Sequence, residues 1–355
     1  MVKFANKIVG DGNPCFITFE AGPTHDGLES AKRLAKHASE AGADAIKFQI
    51  FDPDRLVADK KQLFTYGVLK DRASGEIETI QEPLYDILLR RCLTTNEWIE
   101  VKSYCDKLGL AFFSTVAFDE DIELLEKLKC DSIKIASADL NHFPLIKKVA
   151  KTGMCIQLDT GMATLGEVEV AIDVILGEGN DNIIIHQCPS GYPARLESIN
   201  LNVIPTLKKM FELPVAFSDH SPGWSMDIAA VAIGANLVEK TITEDRMTRS
   251  VEHIMSIEPS EMKEFVKTIH EVEVALGASR RKMQPLELSN RDLIRRSLFL
   301  RSDGLSGQKL SKCDIEFRRP GTGISPDQYE ALSSAKLNKP LKSGKMISMN
   351  DLKFN

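Results

Sequence analysis

The sequence predicts an α/β protein that begins with a (β/α)8 barrel and ends with a small, mostly β domain. Eight short apolar runs alternate with amphipathic, helix-like stretches, and they lie at 15–22, 45–51, 111–116, 132–137, 154–161, 182–189, 214–221 and 237–244. Apolar strands that alternate with helices are typical of a parallel sheet covered on both faces, and eight such units fit a closed barrel. An open doubly wound sheet is the alternative, but no G-x-G-x-x-G motif follows the first run, which weakens it.

The barrel is expected over residues 1–277, with one long insertion. Residues 52–95 separate the second and third apolar runs and are rich in charge, and a connection of this length is typical of a functional loop or a lid. Helical periodicity ends at Gly277, and residues 278–292 have the composition of a polar linker. Residues 293–355 combine short apolar runs with Gly and Pro turns, which predicts a small β-rich domain.

The composition disfavours several classes of protein. A chain of 355 residues with 43% hydrophobic residues can bury a large core, and its mixed charges, with a net charge of −6, provide no basic surface for nucleic acid. The seven cysteines form no C-x-x-C pair, which indicates a reducing, cytoplasmic compartment rather than a disulfide framework. The N-terminus lacks the apolar core of a signal peptide, and no apolar run approaches the roughly 18 residues of a membrane span.

Nearly every predicted strand ends in polar side chains, and in barrel enzymes the active site lies at this C-terminal rim. Lys47 and Lys134 each lie inside an apolar run, in I-K-F and I-K-I. Because a buried ammonium group must find anions, two such lysines with hydroxyls nearby indicate a pocket for phosphate or carboxylate. The other polar residues at these strand ends are Glu20, Gln49, Ser114, Thr115, Ser137, Asp159, Thr160, Gln187, Ser190, Glu239, Lys240 and Thr241.

The stretch VAFSDHSPGWS, residues 215–225, ends a predicted strand with a hydroxyl, a carboxylate and an imidazole. Strand alternation places Ser218 and His220 toward the barrel mouth and turns Asp219 outward, where it would cap or pair with a neighbouring element. His220 is the best candidate for a metal ligand, although a hydrogen-bonded core histidine has the same appearance. His25 could equally make a local cap in its loop. Of His186 and Gln187, which are neighbours on one strand, one must face the helices.

Longer motifs, taken in order, resemble the sialic acid synthase family. They are FEAGPTHDG, EAGADAIKFQIF, FSTVAFDEDIELLEKL, IKIASADLNHFPLIKKVAKTG, DTGMATLGEVEVAI, CPSGYPA, FSDHSPG, GANLVEK and RRPGTGISP. They span essentially the whole chain, and the C-terminal part is similar to the antifreeze-like domain of these enzymes. The resemblance implies condensation of phosphoenolpyruvate with an N-acetylmannosamine-type sugar aldehyde, which gives a nine-carbon 2-keto acid and phosphate for surface polysaccharide biosynthesis.

The same resemblance implies roles for individual residues. Glu20 would act as acid and base at the reacting carbons, and His220 would bind a divalent metal, manganese or magnesium, that polarises the aldehyde. Arg319 would reach the active site of the neighbouring subunit in a homodimer. The residues implied to bind phosphoenolpyruvate are Lys47, Thr115, Lys134, Ser137 and Ser218, and those implied to lie near the sugar are Gln49 and Tyr192. Ser190 is expected to bind substrate as well.

Five positions depart from the family pattern. Thr241 replaces a second metal-binding histidine, so the metal is expected to be weakly held. Asp159 replaces a serine near the phosphate, which it would repel unless it is protonated, turned away or paired with a lysine. Asp139 and Glu252 each replace one carboxylate with another and could retune the sugar pocket, and Asp26 replaces an asparagine.

Three functional hypotheses follow from the sequence. The first is an active synthase of the sialic acid type. The second keeps the phosphoenolpyruvate chemistry but uses another aldehyde acceptor, as relatives in spore-coat polysaccharide biosynthesis could. The third is a weakly active protein that binds sugar, which Thr241 and Asp159 favour.

Overall fold

A computed structural model describes residues 1–354 of the chain. The chain divides into two compact units, one formed by Met1–Gly277 and the other beginning at Ala278. Within the described residues, no helix has both the length and the apolar character needed to cross a membrane.

The first unit is built on a closed barrel of eight parallel strands. The strands of this unit are β1 (Val2–Phe4), β2 (Lys7–Val9), β3 (Phe16–Glu20), β4 (Ala45–Gln49), β5 (Leu63–Asp71), β6 (Glu76–Pro83), β7 (Ala111–Thr115), β8 (Ser132–Ile135), β9 (Cys155–Asp159), β10 (Ile183–Gln187), β11 (Val215–Asp219) and β12 (Leu237–Thr241). The barrel runs in chain order through β3, β4 and β7 to β12, and β12 pairs with β3 to close it. The barrel prediction is therefore confirmed, and the open sheet is excluded.

Each barrel strand lies within one of the eight predicted apolar runs. The strands end one to three residues before the runs do, because the last residues of each run leave the sheet and enter the rim loops. Parallel pairing aligns these ends, so Glu20 pairs in register with Thr241 on one side and with Lys47 on the other. The polar strand ends therefore meet at one rim of the barrel.

The helices of this unit cover the outside of the barrel, except for two short ones in the insertion 52–95. They are α1 (Leu28–Ala41), α2 (Pro53–Leu56), α3 (Leu84–Leu89), α4 (Thr95–Leu108), α5 (Asp119–Lys127), α6 (Phe143–Lys151), α7 (Leu165–Gly177), α8 (Leu196–Ile199), α9 (Val203–Phe211), α10 (Ser225–Ala232) and α11 (Pro259–Leu276). In α1 the buried residues include Ala31, Leu34, Ala35 and Ala38, the spacing of one apolar helix face. Capping boxes at Thr94 and Thr164 start α4 and α7, where they satisfy free backbone N–H groups.

The two ends of the barrel differ in what covers them. At the N-terminal end, the ring of Phe4 from the β1–β2 hairpin packs on Phe16 and Phe113, with ring centroids 4.4 and 5.3 Å away. This apolar cluster closes the barrel at the starts of its strands. The C-terminal end carries the insertion 52–95, in which β5 and β6 form an antiparallel hairpin. Tyr66 and Val68 of the hairpin pack with Ile87 and Val251, which fixes the insertion to the loop after β12.

The second unit is small and contains short strands. These are β13 (Ser297–Leu300), β14 (Ile315–Arg318), β15 (Lys336–Leu337) and β16 (Leu352–Lys353), and they form two antiparallel pairs around an apolar cluster of their own. Its helices are α12 (Pro285–Ile294) and α13 (Tyr329–Leu332). The segment 278–292 was expected to be a plain polar linker, and the helix α12 corrects that expectation. Pro285 at the first turn and a capping box between Gln284 and Glu287 start this helix.

Candidate active site

A cavity of about 730 Å³ opens at the C-terminal rim of the barrel, and most of the predicted site residues line it. Lys134 and Ser218 do not line the cavity but are fully buried, 0% and 1% exposed. Arg319 belongs to the second unit, where it is exposed. The predicted residues that line the cavity are Glu20, Lys47, Gln49, Thr115, Ser137, Asp139, Asp159, Ser190, Tyr192, His220 and Glu252.

The two buried lysines share one carboxylate. Lys134 Nζ lies 2.7 and 2.8 Å from the two carboxylate oxygens of Glu239, and Lys47 Nζ lies 2.7 Å from one of them. Lys47 also pairs with Glu20, and Lys134 pairs with Asp159 at 3.0 Å. The anions that the buried lysines required are therefore supplied by the protein itself.

These ion pairs set the protonation of the cluster. Burial opposes the charge on Lys134, but Asp159 and Glu239 outweigh it and raise the pKa of its ammonium group. Burial lowers the pKa of Lys47, which Glu239 only partly offsets. Burial would raise the pKa of Glu239, but Lys134 and Lys47 prevail and hold it below its usual range. Lys134 and Glu239 therefore form the fully charged pair at the centre of the cluster.

Asp159 changes the charge balance of the cluster. With all five groups ionised, the three carboxylates Glu20, Asp159 and Glu239 face two ammonium groups, so one negative charge is left over. Of the three ways foreseen for Asp159 to avoid repelling a phosphate, the structure shows pairing with a lysine. An incoming anion must therefore compete with Asp159 for Lys134.

A chain of buried hydrogen bonds extends from Lys134 across the barrel interior. Lys134 Nζ donates to Ser218 Oγ at 3.1 Å, and Ser218 Oγ lies 2.9 Å from Nδ1 of His186. His186 Nε2 lies 2.9 Å from Oε1 of Gln157, whose amide nitrogen donates to Ser132. Burial, helped by Lys134, lowers the pKa of His186 to about 3, so the ring is neutral. Since an amide oxygen only accepts, Nε2 carries the proton and Nδ1 accepts from Ser218.

Two glycines allow these groups to approach each other. A Cβ on Gly22 would lie 2.5 Å from a carboxylate oxygen of Glu20 and 2.6 Å from Gln49. The backbone N–H of Gly22 instead donates to that Glu20 oxygen. A Cβ on Gly161 would lie 2.7 Å from the hydroxyl oxygen of Ser137, which accepts the Gly161 N–H at 2.9 Å. Both glycines are therefore needed for close contact at the cavity wall.

The stretch 218–220 alternates as predicted. Ser218 faces Lys134 inside the barrel and His220 lines the cavity. Asp219 faces outward and forms a fully buried ion pair with Lys240, and it also accepts from the Ser221 backbone and hydroxyl. Burial and the Asp219 charge raise the pKa of the neighbouring carboxyl of Asp227. The outward pairing anchors the ends of β11 and β12 behind the cavity.

His220 keeps one ring nitrogen available for a ligand. Its Nδ1 lies 3.0 Å from the carbonyl oxygen of Pro189, so Nδ1 donates and Nε2 carries the lone pair. The ring of Tyr192 lies 4.7 Å away, centroid to centroid. Within residues 1–354, no three His, Cys, Asp or Glu side chains are arranged to hold a metal ion. A single imidazole suits a weakly held cation that keeps most of its waters.

Two other histidines, His25 and His253, lie apart from His220 and do not line the cavity. His25 does not make the local cap considered from the sequence, because its buried ring packs edge-on against Phe48 and Trp98 and neither of its nitrogens has a hydrogen-bond partner. His253 is buried with Nδ1 2.7 Å from the hydroxyl oxygen of Thr243. Burial lowers the pKa of each ring to about 4. Both are therefore neutral residues of the cavity's surroundings.

Four residues of the site were not assigned by the sequence. Glu239 was noted only as a polar strand end, and His186 was left undecided between the two faces. Gln157 sits inside an apolar run, in I-Q-L, which is the signal that identified the lysines and would have identified Gln157 as well. Arg91 lies in the irregular insertion, where no periodicity points to the cavity.

Comparisons with known proteins identify the family of this chain. Residues 34–281 match the model of the NeuB family. The chain belongs to the NeuB family. It is 35% identical over 340 residues to the N,N'-diacetyllegionaminic acid synthase of Legionella pneumophila, with 94% of each chain covered.

Two solved structures of similar sequence show the same fold. The N-acetylneuraminic acid synthetase of Leptospira borgpetersenii superposes with a TM-score of 0.71 and 28% identity, over 81% of this chain and 94% of that one. A spore coat polysaccharide biosynthesis protein of Bacillus subtilis superposes with a TM-score of 0.65 and 31% identity, over 99% of both chains. The resemblance drawn from the sequence motifs is thereby confirmed at the level of the family.

The buried Lys240–Asp219 pair generates a prediction about stability. In Lys240→Met, Asp219 stays buried without its cation, so we expect the free energy of unfolding to fall by about 3–5 kcal/mol. The matched control is Lys148→Met, which removes an exposed pair with Asp119 and is expected to cost far less. Urea denaturation measures both. Equal losses for the two variants would contradict the anchoring role of the pair.

Proposed function

We propose that this protein condenses phosphoenolpyruvate with an amino-sugar aldehyde of the N-acetylmannosamine type, giving a sialic-acid-like nonulosonic acid and phosphate. The observation that carries the proposal is the pair of buried lysines, Lys47 and Lys134, at a cavity that also presents Glu20 and His220. The relatives are named as synthases of such acids. We place the reaction in surface polysaccharide biosynthesis in the cytoplasm, which the seven free thiols support.

Phosphoenolpyruvate would occupy the inner part of the cavity. Lys47 lines the wall, whereas Lys134 lies behind it in contact with the wall residue Asp159. A phosphate or carboxylate would therefore bind Lys47 directly and would reach Lys134 by displacing Asp159. The hydroxyls of Thr115, Ser137 and Ser218 would complete the anion site. The shared carboxylate of Glu239 contacts both lysines and would hold them in place before substrate binds, which is a positioning role.

The acceptor sugar would occupy the outer part. Gln49, Ser190 and Tyr192 line the cavity with hydrogen-bonding groups, and Asp139 and Glu252 add two carboxyls; we assign these residues to the sugar. Burial raises the pKa of both carboxyls. Carboxyls with a raised pKa can donate or accept hydrogen bonds to sugar hydroxyls.

The reaction joins C3 of the enol to the aldehyde carbon, and the aldehyde oxygen takes up a proton. Positive charge develops at C2, water adds there, and phosphate leaves as C2 becomes a ketone. Glu20, held by Lys47 and by the Gly22 N–H, is proposed to stabilise the charge at C2 and to accept the proton of the attacking water. A divalent cation, manganese or magnesium, would polarise the aldehyde when bound. His220 would hold it through Nε2.

A second candidate function is binding without efficient turnover. Asp159 favours it, because its carboxylate already occupies Lys134. Release of phosphate from phosphoenolpyruvate, assayed across a panel of amino-sugar aldehydes with and without manganese, separates the two functions. Turnover with one acceptor supports the synthase, whereas sugar binding with no phosphate release for any acceptor supports the binding protein.

The lysines provide a direct test of the anion site. Lys47→Ala and Lys134→Ala should each raise the KM for phosphoenolpyruvate or abolish turnover, because loss of one partner of a desolvated charge pair costs about 2–5 kcal/mol. Lys148→Ala, on the exposed surface, is the control and should retain wild-type kinetics. Circular dichroism establishes that the variants fold. Unchanged phosphoenolpyruvate kinetics in both cavity variants would refute the assignment.

The metal is tested by restoring the missing imidazole. Thr241 is buried on the inward side of β12, in register with Glu20, so Thr241→His should present a second ligand beside His220. We expect manganese to bind the variant at least ~10-fold more tightly than wild type. Residues that only hydrogen-bond to a metal ligand already change metal affinity by about 10–100-fold, and a direct ligand should do at least as much. Calorimetric titration of wild type, Thr241→His and His253→Ala measures this. Tight binding by wild type that disappears in His253→Ala would make His253 the ligand instead.

We also propose a homodimer in which Arg319 reaches the partner's active site. The support is the similarity of the RRPGTGISP motif to the antifreeze-like domain of the family and the exposure of Arg319. Glu20→Gln and Arg319→Ala should each be inactive alone, yet regain partial activity after subunit exchange, because some mixed dimers then contain one intact site. Each variant mixed with itself is the control. No recovery after complete exchange would show that the sites are not shared.

A further inference from the structure

Arg91 is a buried cation on the cavity wall. It follows α3 in the insertion, is 5% exposed, and lines the same cavity as Lys47 and His220. Its only hydrogen bond to a protein group in residues 1–354 runs from Nη2 to the hydroxyl oxygen of Ser250, at 3.4 Å. The rest of its guanidinium has no protein acceptor.

The lack of a carboxylate partner sets Arg91 apart. The other buried lysines and arginines in the described chain, Lys47, Lys134 and Lys240, each contact at least one carboxylate. Arg91 forms no ion pair within residues 1–354, whereas the adjacent Arg90 holds Glu82 with two bonds of 2.7 and 2.9 Å. Removing a cation from water without an anion is costly, so the site is incomplete as the chain alone builds it.

The surroundings of Arg91 do not supply the missing charge. His25 and His253, both close enough for its charge to act on them, are neutral. Glu252 is the carboxyl that most affects Arg91, but it is outside ion-pair distance. Burial lowers the pKa of Arg91 to about 10, which still leaves it charged at neutral pH. A fixed positive charge therefore faces the cavity.

We propose that Arg91 binds an anionic group, a phosphate or a carboxylate, carried by the acceptor sugar at the end remote from its aldehyde. The inference rests on the proposed condensation and names its acceptor class. The planar guanidinium suits two parallel bonds to such a group. Phosphoenolpyruvate has its own cations in Lys47 and Lys134, and Arg91 contacts neither Glu20, Asp159 nor Glu239 of that cluster. Apolar neighbours on the wall, Phe64, Ile87 and Leu88, would exclude water around the pair.

The competing explanation is that Arg91 only supports the turn at Ser250. The two explanations differ in what a ligand's charge does to its affinity. A supporting role predicts equal binding of neutral and anionic sugars, and a recognition role predicts a preference that depends on Arg91.

The experiment is calorimetric titration at neutral pH with phosphoenolpyruvate and with three sugars: N-acetylmannosamine, its 6-phosphate and N-acetylmannosaminuronic acid. Wild type should bind at least one of the two anionic sugars 10-fold or more tightly than the neutral one. Comparing the 6-phosphate with the uronic acid shows whether Arg91 prefers phosphate or carboxylate. In Arg91→Met the preference should fall below about threefold. Arg91→Lys, which keeps the charge, should retain part of it, and Arg90→Met should retain all of it.

Each outcome decides the question. Equal binding of neutral and anionic sugars by wild type, or an undiminished preference in Arg91→Met, overturns the role of Arg91 and leaves the condensation standing. If wild type binds neither phosphoenolpyruvate nor any of the three sugars, the proposed function is overturned, and the role of Arg91 with it. If Arg91→Met does not fold, an undiminished preference in folded Arg91→Lys, whose ammonium cannot make paired guanidinium bonds, overturns the proposal as well.

Discussion

The contact between Lys134 and Glu239 is the interaction on which the rest of the site depends. Both groups are almost completely inaccessible to water, and each would be unstable there as an isolated charge. Their pairing allows Lys47 to share the same carboxylate and Asp159 to share the same ammonium group. The cluster therefore holds two lysines at the base of the cavity, each already in contact with carboxylates that an incoming anion would have to displace or accommodate.

Strand alternation separates this functional cluster from a purely structural one. On β11 and β12, Ser218 and Glu239 point inward, while Asp219 and Lys240 point outward and pair behind the sheet. The inner residues contact Lys134 in the charged cluster beneath the cavity, and the outer ones fix the strand ends that carry them. The end of β11 thus carries three polar residues with three different partners. Ser218 contacts Lys134 inside the barrel, Asp219 pairs with Lys240 behind the sheet, and His220 lines the cavity.

The fold could be predicted because each barrel strand is nearly continuous in apolar residues and ends in polar ones. The rim position of the site followed from the same pattern. The partners of each charge could not be predicted, since Glu239 on β12 meets Lys134 on β8 across the barrel interior, between strands that are not neighbours in the sheet. Arg91 was missed because it sits in an insertion whose burial depends on packing against Val251 and its neighbours. The helix α12 was missed because it directly follows the polar residues 278–284 and has no buried residue, although Pro285 and the capping box between Gln284 and Glu287 signal its start.

The central claim is that the balance of three carboxylates against two lysines sets the affinity for an anionic substrate. The most direct measurement is calorimetric titration of phosphoenolpyruvate into wild type and Asp159→Asn, a change that preserves side-chain size and removes one negative charge beside Lys134. The structure predicts binding several-fold tighter in Asp159→Asn, with a smaller dependence on competing phosphate. Equal or weaker binding in that variant would contradict the claim and would mean that the Asp159 charge does not oppose the substrate.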